Sequence, residues 1–89
     1  MAQIYVNPEE IDVFISVLHR YLEDINNSTG NVKMAFDNLT NTWQDDKKSE
    51  FEEEFNELLN FLNHFTENAQ DKIAHLQRLS EAAKNYLEQ

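Results

Sequence analysis

The chain has no cysteine, a single glycine and a single proline among 89 residues, and 7 lysines and arginines against 17 aspartates and glutamates. Each shortage removes a class of protein. Without cysteine there is no disulfide framework, thiol nucleophile or cysteine-based zinc site. So little Gly and Pro cannot punctuate an all-β domain, which needs turns every ~8–12 residues. A net charge of −10 leaves no electrostatic footprint for a phosphate backbone, so no nucleic-acid partner is expected. No apolar run approaches the ~20 residues that cross a bilayer, so no integral membrane insertion is expected, and no charged start plus apolar stretch resembles a signal peptide. The expected location is the cytoplasm or, by a route independent of a signal peptide, outside the cell. At ~100–200 residues per domain, residues 1–89 form one domain.

What is present is helical. Asn7-Pro8-Glu9-Glu10 is a start signal: Asn7 caps, Pro8 fits the first position because its missing N–H is not needed there, and Glu10 completes a capping box. From there Ile11, Leu18, Ile25, Val32 and Leu39 recur at a heptad step, with Phe14, Tyr21, Ser28 and Ala35 on the neighbouring register. This predicts a helix over 8–40. Asn26-Asn27-Ser28-Thr29-Gly30-Asn31 are poor helix formers, with ~1 kcal/mol lost at Gly30 alone. The helix either kinks or breaks there, or runs through; the unchanged register beyond Gly30 favours continuity. After a turn over 41–46, a second helix over 46–87 carries Phe51, Phe55, Leu58, Leu62, Phe65, Ala69, Ile73, Leu76, Leu79, Ala83 and Leu87, with the step from Ala69 to Ile73 read as a shift of phase.

A short connection between long helices makes an antiparallel hairpin. Leu39/Phe51, Val32/Leu58, Ile25/Phe65, Tyr21/Ala69, Phe14/Leu76 and Ile11/Leu79 have residue numbers of constant sum, as facing positions in such a pair must. Val13, Ile15, Leu22, Phe36, Leu59, Phe61 and Tyr86 fall outside this seam and widen the apolar face beyond what two helices cover. The expected architecture is therefore an all-α hairpin that pairs into a four-helix-bundle dimer, as a homodimer or with a similar hairpin. A break at 26–31 would instead allow a monomeric three-helix bundle.

Catalytic and metal constellations fail. A di-iron bundle needs Glu-x-x-His, but Ser16, Phe61 and Lys72 stand three residues before His19, His64 and His75. Asp71 and His75 share a helix face, but with no second pair they read as a surface hydrogen bond. With no glycine-rich phosphate loop or nucleophile motif either, no enzyme activity and no cofactor are expected.

A helix of about thirty residues, a mid-chain Trp43 with Asp45 two places on, an aromatic Phe51 eight places after the Trp, and a second long helix resemble the WXG-motif family. These are the ESAT-like helical hairpins associated with type VII secretion, and the resemblance covers essentially the whole chain. The chain departs from the family pattern in two places. Trp43-Gln44-Asp45 replaces Trp-x-Gly, although Asp tolerates turn conformations and caps helices. The family's export signal, an aromatic followed four places later by an acidic residue after the second helix, is absent, because Tyr86 is followed only by Leu87-Glu88-Gln89. Export would then depend on a partner carrying the signal, or not occur.

The resemblance implies a secreted substrate, partner or targeting factor of a type VII-like system, with a larger secreted effector or a secretion ATPase among its partners. The alternative is a cytosolic adaptor or effector-binding chaperone on the same bundle. A membrane-active helix pair is a third reading, disfavoured because its polar faces are acidic. Trp43 either closes the turn or lines a tip groove open to a partner. The acidic cluster Asp45, Asp46, Glu50, Glu52, Glu53, Glu54 and Glu57 either complements the positive helix end or steers a basic partner.

Overall fold

The computed structural model describes residues 6–88. They form two helices, α1 (Pro8–Thr42) and α2 (Lys47–Leu87), folded back on each other as an antiparallel hairpin. The described residues make a rod of 67 × 21 × 14 Å. α1 starts where the capping residues place it: the Asn7 side chain accepts the Glu9 N–H at 2.9 Å, Pro8 occupies the first turn, and Glu9 and Glu10 face the positive helix end. The expected capping box is not formed, since no Glu10 side-chain bond returns to Asn7 among the described residues. α1 extends to Thr42, two residues beyond the expected 40, and the connection shortens to residues 43–46.

The helix runs unbroken through Asn26–Asn31, which excludes the three-helix bundle. Packing along α2 overrides the weak local propensity. Gly30 needs no special conformation: its φ is negative and an added Cβ would meet nothing within 4 Å. Gly30→Ala should therefore raise stability by about 1 kcal/mol, seen as a higher Tm in thermal melting.

The contact between the helices corrects the expected seam. Ile11, Ile15, Leu22 and Ile73 are buried, with Leu18, Ala69 and Leu76 packed against them. Ile25, Thr29, Phe36, Phe55, Leu59, Leu62 and Thr66 continue this line, half-buried, toward the turn. On α2 the line Phe55, Leu59, Leu62, Thr66, Ala69, Ile73, Leu76, Ser80, Ala83 alternates steps of four and three without interruption, so the step from Ala69 to Ile73 is no phase shift. Ile15, Leu22, Phe36 and Leu59, expected outside, are inside. Phe14, Tyr21, Val32, Leu39, Phe51, Leu58, Phe65 and Leu79, expected to face across the hairpin, are instead exposed. The expected facing of Tyr21 with Ala69 is accordingly absent: Tyr21 is exposed, and Ala69 packs against the cluster that holds Leu22 and Ile73. Close approach of two helices favours Ile, Leu, Ala and Ser, and leaves the larger rings where a second layer has room.

At the open end, opposite the turn, a polar cluster fixes the register. Asp12 accepts the Ser80 hydroxyl and the Lys84 ammonium, each at 2.7 Å, and the Ser80 hydroxyl also lies 3.4 Å from the Pro8 carbonyl. Ser80 is buried at a seam position, so its hydroxyl needs this partner. The Lys84 and Ser80 bonds hold the Asp12 carboxyl below its ordinary value of 3.8, and the Asp12 bond raises Lys84 above 10.5. A lowered acid stabilises above its unfolded pKa and loses that as pH falls through the folded one; a raised base does so below its unfolded pKa and loses it as pH rises. The Tm difference between the native chain and Asp12→Asn should therefore be largest at neutral pH. It should shrink below the ordinary Asp range and again above the ordinary Lys range.

Candidate functional site: the apolar face and the hairpin tip

The eight displaced side chains gather on one side of the hairpin. On α2, Phe51, Leu58, Phe65 and Leu79 fall on a seven-residue repeat beside the seam; on α1, Phe14 and Tyr21 share one such repeat and Val32 and Leu39 another. All eight are between 41% and 54% exposed, against 8% or less for the buried core. A groove of about 190 Å³ joins the two stripes, lined by Ile25, Ser28, Thr29, Val32, Phe55, Leu58, Leu59 and Leu62. Small Ser28 and Thr29 opposite three leucines leave this hollow.

The other side of the hairpin is polar. His19, Glu23, Asn26, Lys33 and Asp37 of α1 flank the seam there, together with Glu52, Asn56, Asn63 and Gln70 of α2. The two sides that flank the seam are thus chemically opposed, polar on one and apolar on the other. Along that surface the half of the rod nearer the turn contains no fully buried hydrophobic side chain, whereas Ile11, Ile15, Leu22, Ile73 and Ala83 all lie toward the open end. The contact between the helices is therefore tightest toward the open end and looser toward the turn.

At the tip, Trp43, Asp45 and Phe51 come together. The Trp43 indole N–H donates to the Asp45 carboxylate at 2.7 Å, and the same oxygen accepts the Lys47 N–H at 2.8 Å, capping the start of α2. The Trp43 and Phe51 rings lie 5.8 Å apart at 41°, and Phe36 continues the cluster at 5.8 Å from Phe51 and 4.3 Å from Phe55. Asp45 serves in place of glycine because no residue of the turn has a positive φ, and its carboxylate supplies two bonds that glycine lacks. The aromatic cluster closes the turn, with Trp43 half-buried.

Of the expected seam residues, Ile11, Leu18, Ile25, Phe55, Leu62, Ile73 and Leu76 lie between the helices. The acidic cluster after the turn is paired only in part, by Lys47 to Glu50 at 3.5 Å and Lys48 to Glu52 at 3.9 Å. Tyr86 is exposed in the last turn of α2, and Gln89, at the end of the stretch read for an export signal, lies outside the described residues. Sequence reading missed the Asp12–Ser80–Lys84 cluster; the signal for it was a serine on the seam between apolar Ile73, Leu76 and Ala83. Among the described residues no three His, Asp or Glu side chains converge as a metal site, and no helix is long and apolar enough to cross a membrane. Comparisons of the chain with protein-family models, curated proteins and solved structures find no match.

Proposed function

We propose that this chain is a non-enzymatic interaction module whose apolar face takes another helical hairpin to complete a four-helix bundle, and that it works in a type VII-like secretion pathway as substrate, partner or targeting factor. The exposed stripe of Phe14, Tyr21, Val32, Leu39, Phe51, Leu58, Phe65 and Leu79 carries the pairing. Each half-exposed side chain regains about 1 kcal/mol on full burial, so the set together offsets a large part of the ~4–15 kcal/mol cost of association. The secretion pathway rests on the resemblance of the Trp43, Asp45 and Phe51 tip to the WXG-motif hairpins.

An epitope-tagged chain expressed in its native host tests the pathway. The expected result is the chain in the culture medium, lost when the secretion ATPase of the system is inactivated. A chain that stays in the cytosol while co-purifying with a partner contradicts the secretion role and supports the adaptor alternative.

A further inference from the structure

The strongest ties between the two helices are gathered away from the middle of the rod. Among the described residues, every side-chain hydrogen bond and ion pair that spans the helices belongs to Asp12, Ser80, Lys84 and the Pro8 carbonyl at the open end. The buried hydrophobic side chains lie in that same half. At the other end the rings of Phe36, Phe51, Phe55 and Trp43 hold the turn. Residues 26–31 of α1 fall between these two fastenings.

In that stretch local propensity and packing are weak together. Asn26, Asn27, Ser28, Thr29, Gly30 and Asn31 all rank below Ala, Leu and Glu as helix formers, and Asn, Ser and Thr side chains can bond the backbone in non-helical conformations instead. Thr29 is half-buried and the other five are exposed. The seam is also hollow on both of its sides here. The groove of about 190 Å³ reaches Ser28 and Thr29 on the apolar side, and a second of about 250 Å³ reaches Asn26, Thr29 and Gly30 on the polar side. A Cβ at Gly30 would meet nothing within 4 Å. α2, in contrast, runs on without Gly or Pro and keeps Leu59, Leu62 and Thr66 half-buried along the same grooves.

A folded chain opens first where few buried contacts are lost and the local helix is least favoured. We propose that residues 26–31 form a joint built into α1, which opens and recloses locally while the clasped half of the hairpin, the aromatic tip and α2 stay folded. Phe14 and Tyr21 of the exposed stripe precede the joint, and Val32 and Leu39 follow it. Each opening re-aims one pair of apolar side chains relative to the other, so the face conforms to whatever covers it. The joint is a property of the lone chain and does not depend on a partner.

Hydrogen exchange of the whole chain in dilute solution, resolved by residue, reads the joint directly. Amides of residues 26–31 should exchange at least about tenfold faster than those of residues 15–22 in α1 and 59–66 in α2. Gly30→Ala should slow them about fivefold. Asn38→Ala, equally exposed on α1 beyond the joint, should leave them unchanged. Exchange at 26–31 as slow as at 15–22, or matched by that at 59–66, overturns the joint. A rate that Gly30→Ala does not alter overturns it as well. Slowing by Asn38→Ala as strong as that by Gly30→Ala also overturns it, because 26–31 would then open only together with the whole turn half.

Discussion

Replacing Ile73 by aspartate will unfold the hairpin. Ile73 is 3% exposed in the buried hydrophobic cluster of the described residues, packed with Ile11, Ile15 and Leu22 contributed by α1. An aspartate there loses the transfer free energy of the isoleucine and carries a carboxylate into a site where no cation faces it, a loss of roughly 3–5 kcal/mol or more. That is a large fraction of the ~5–15 kcal/mol available to a small domain. Urea titration followed by circular dichroism should find Ile73→Asp largely unfolded without denaturant. Ile73→Val, which removes one methylene, should cost only about 1 kcal/mol. Similar midpoints for the two variants would contradict the placement of the core.

Leu58→Asp will separate paired hairpins without unfolding them. Leu58 is 48% exposed and lines the groove that joins the two apolar stripes. Its charge stays hydrated in a lone hairpin and is desolvated only when another hairpin covers it. The expected result is a dissociation constant raised by ~100-fold or more, with helix content retained. Asn63→Asp, on the polar side of the seam, is the control and should leave pairing nearly unchanged. Unfolding by Leu58→Asp in a dilute monomer would mean that Leu58 belongs to the hairpin's own core.

Both helices and their antiparallel course are legible in the sequence because several local signals agree: Asn7-Pro8 at the start of α1, heptad steps through both segments, and no Gly or Pro within α2. Continuity through Asn26–Asn31 follows from register, since an inserted loop would have displaced Val32 and Leu39 from the stripe of Ile25. Which stripe faces inward is not legible. Ile11, Leu18 and Ile25 are common to both choices, and their neighbours Phe14 and Tyr21 on one side or Ile15 and Leu22 on the other are equally periodic. Periodicity measures apolarity, but the inner contact is selected by fit, and aliphatic Ile15 and Leu22 allow closer helix approach than aromatic rings.

The polar members of the seam hide for a related reason. Ser80 and Thr66 break an apolar pattern by eye, yet each satisfies its hydroxyl, Ser80 on Asp12 at 2.7 Å and Thr66 on the Leu62 carbonyl at 3.0 Å. Asp12 reads as a solvated surface charge until folding brings Ser80 and Lys84 to it across 68 and 72 residues of chain. The tip is the opposite case. Trp43, Asp45 and Phe51 are near neighbours in sequence, so their spacing alone brings them together once the chain turns.

Sedimentation equilibrium of the purified chain over a wide concentration range shows whether the apolar face pairs. The expected result is a self-associating system that converges on the mass of two chains, returned to one chain by Leu58→Asp. A fully helical native chain that keeps the mass of a single copy throughout would contradict it.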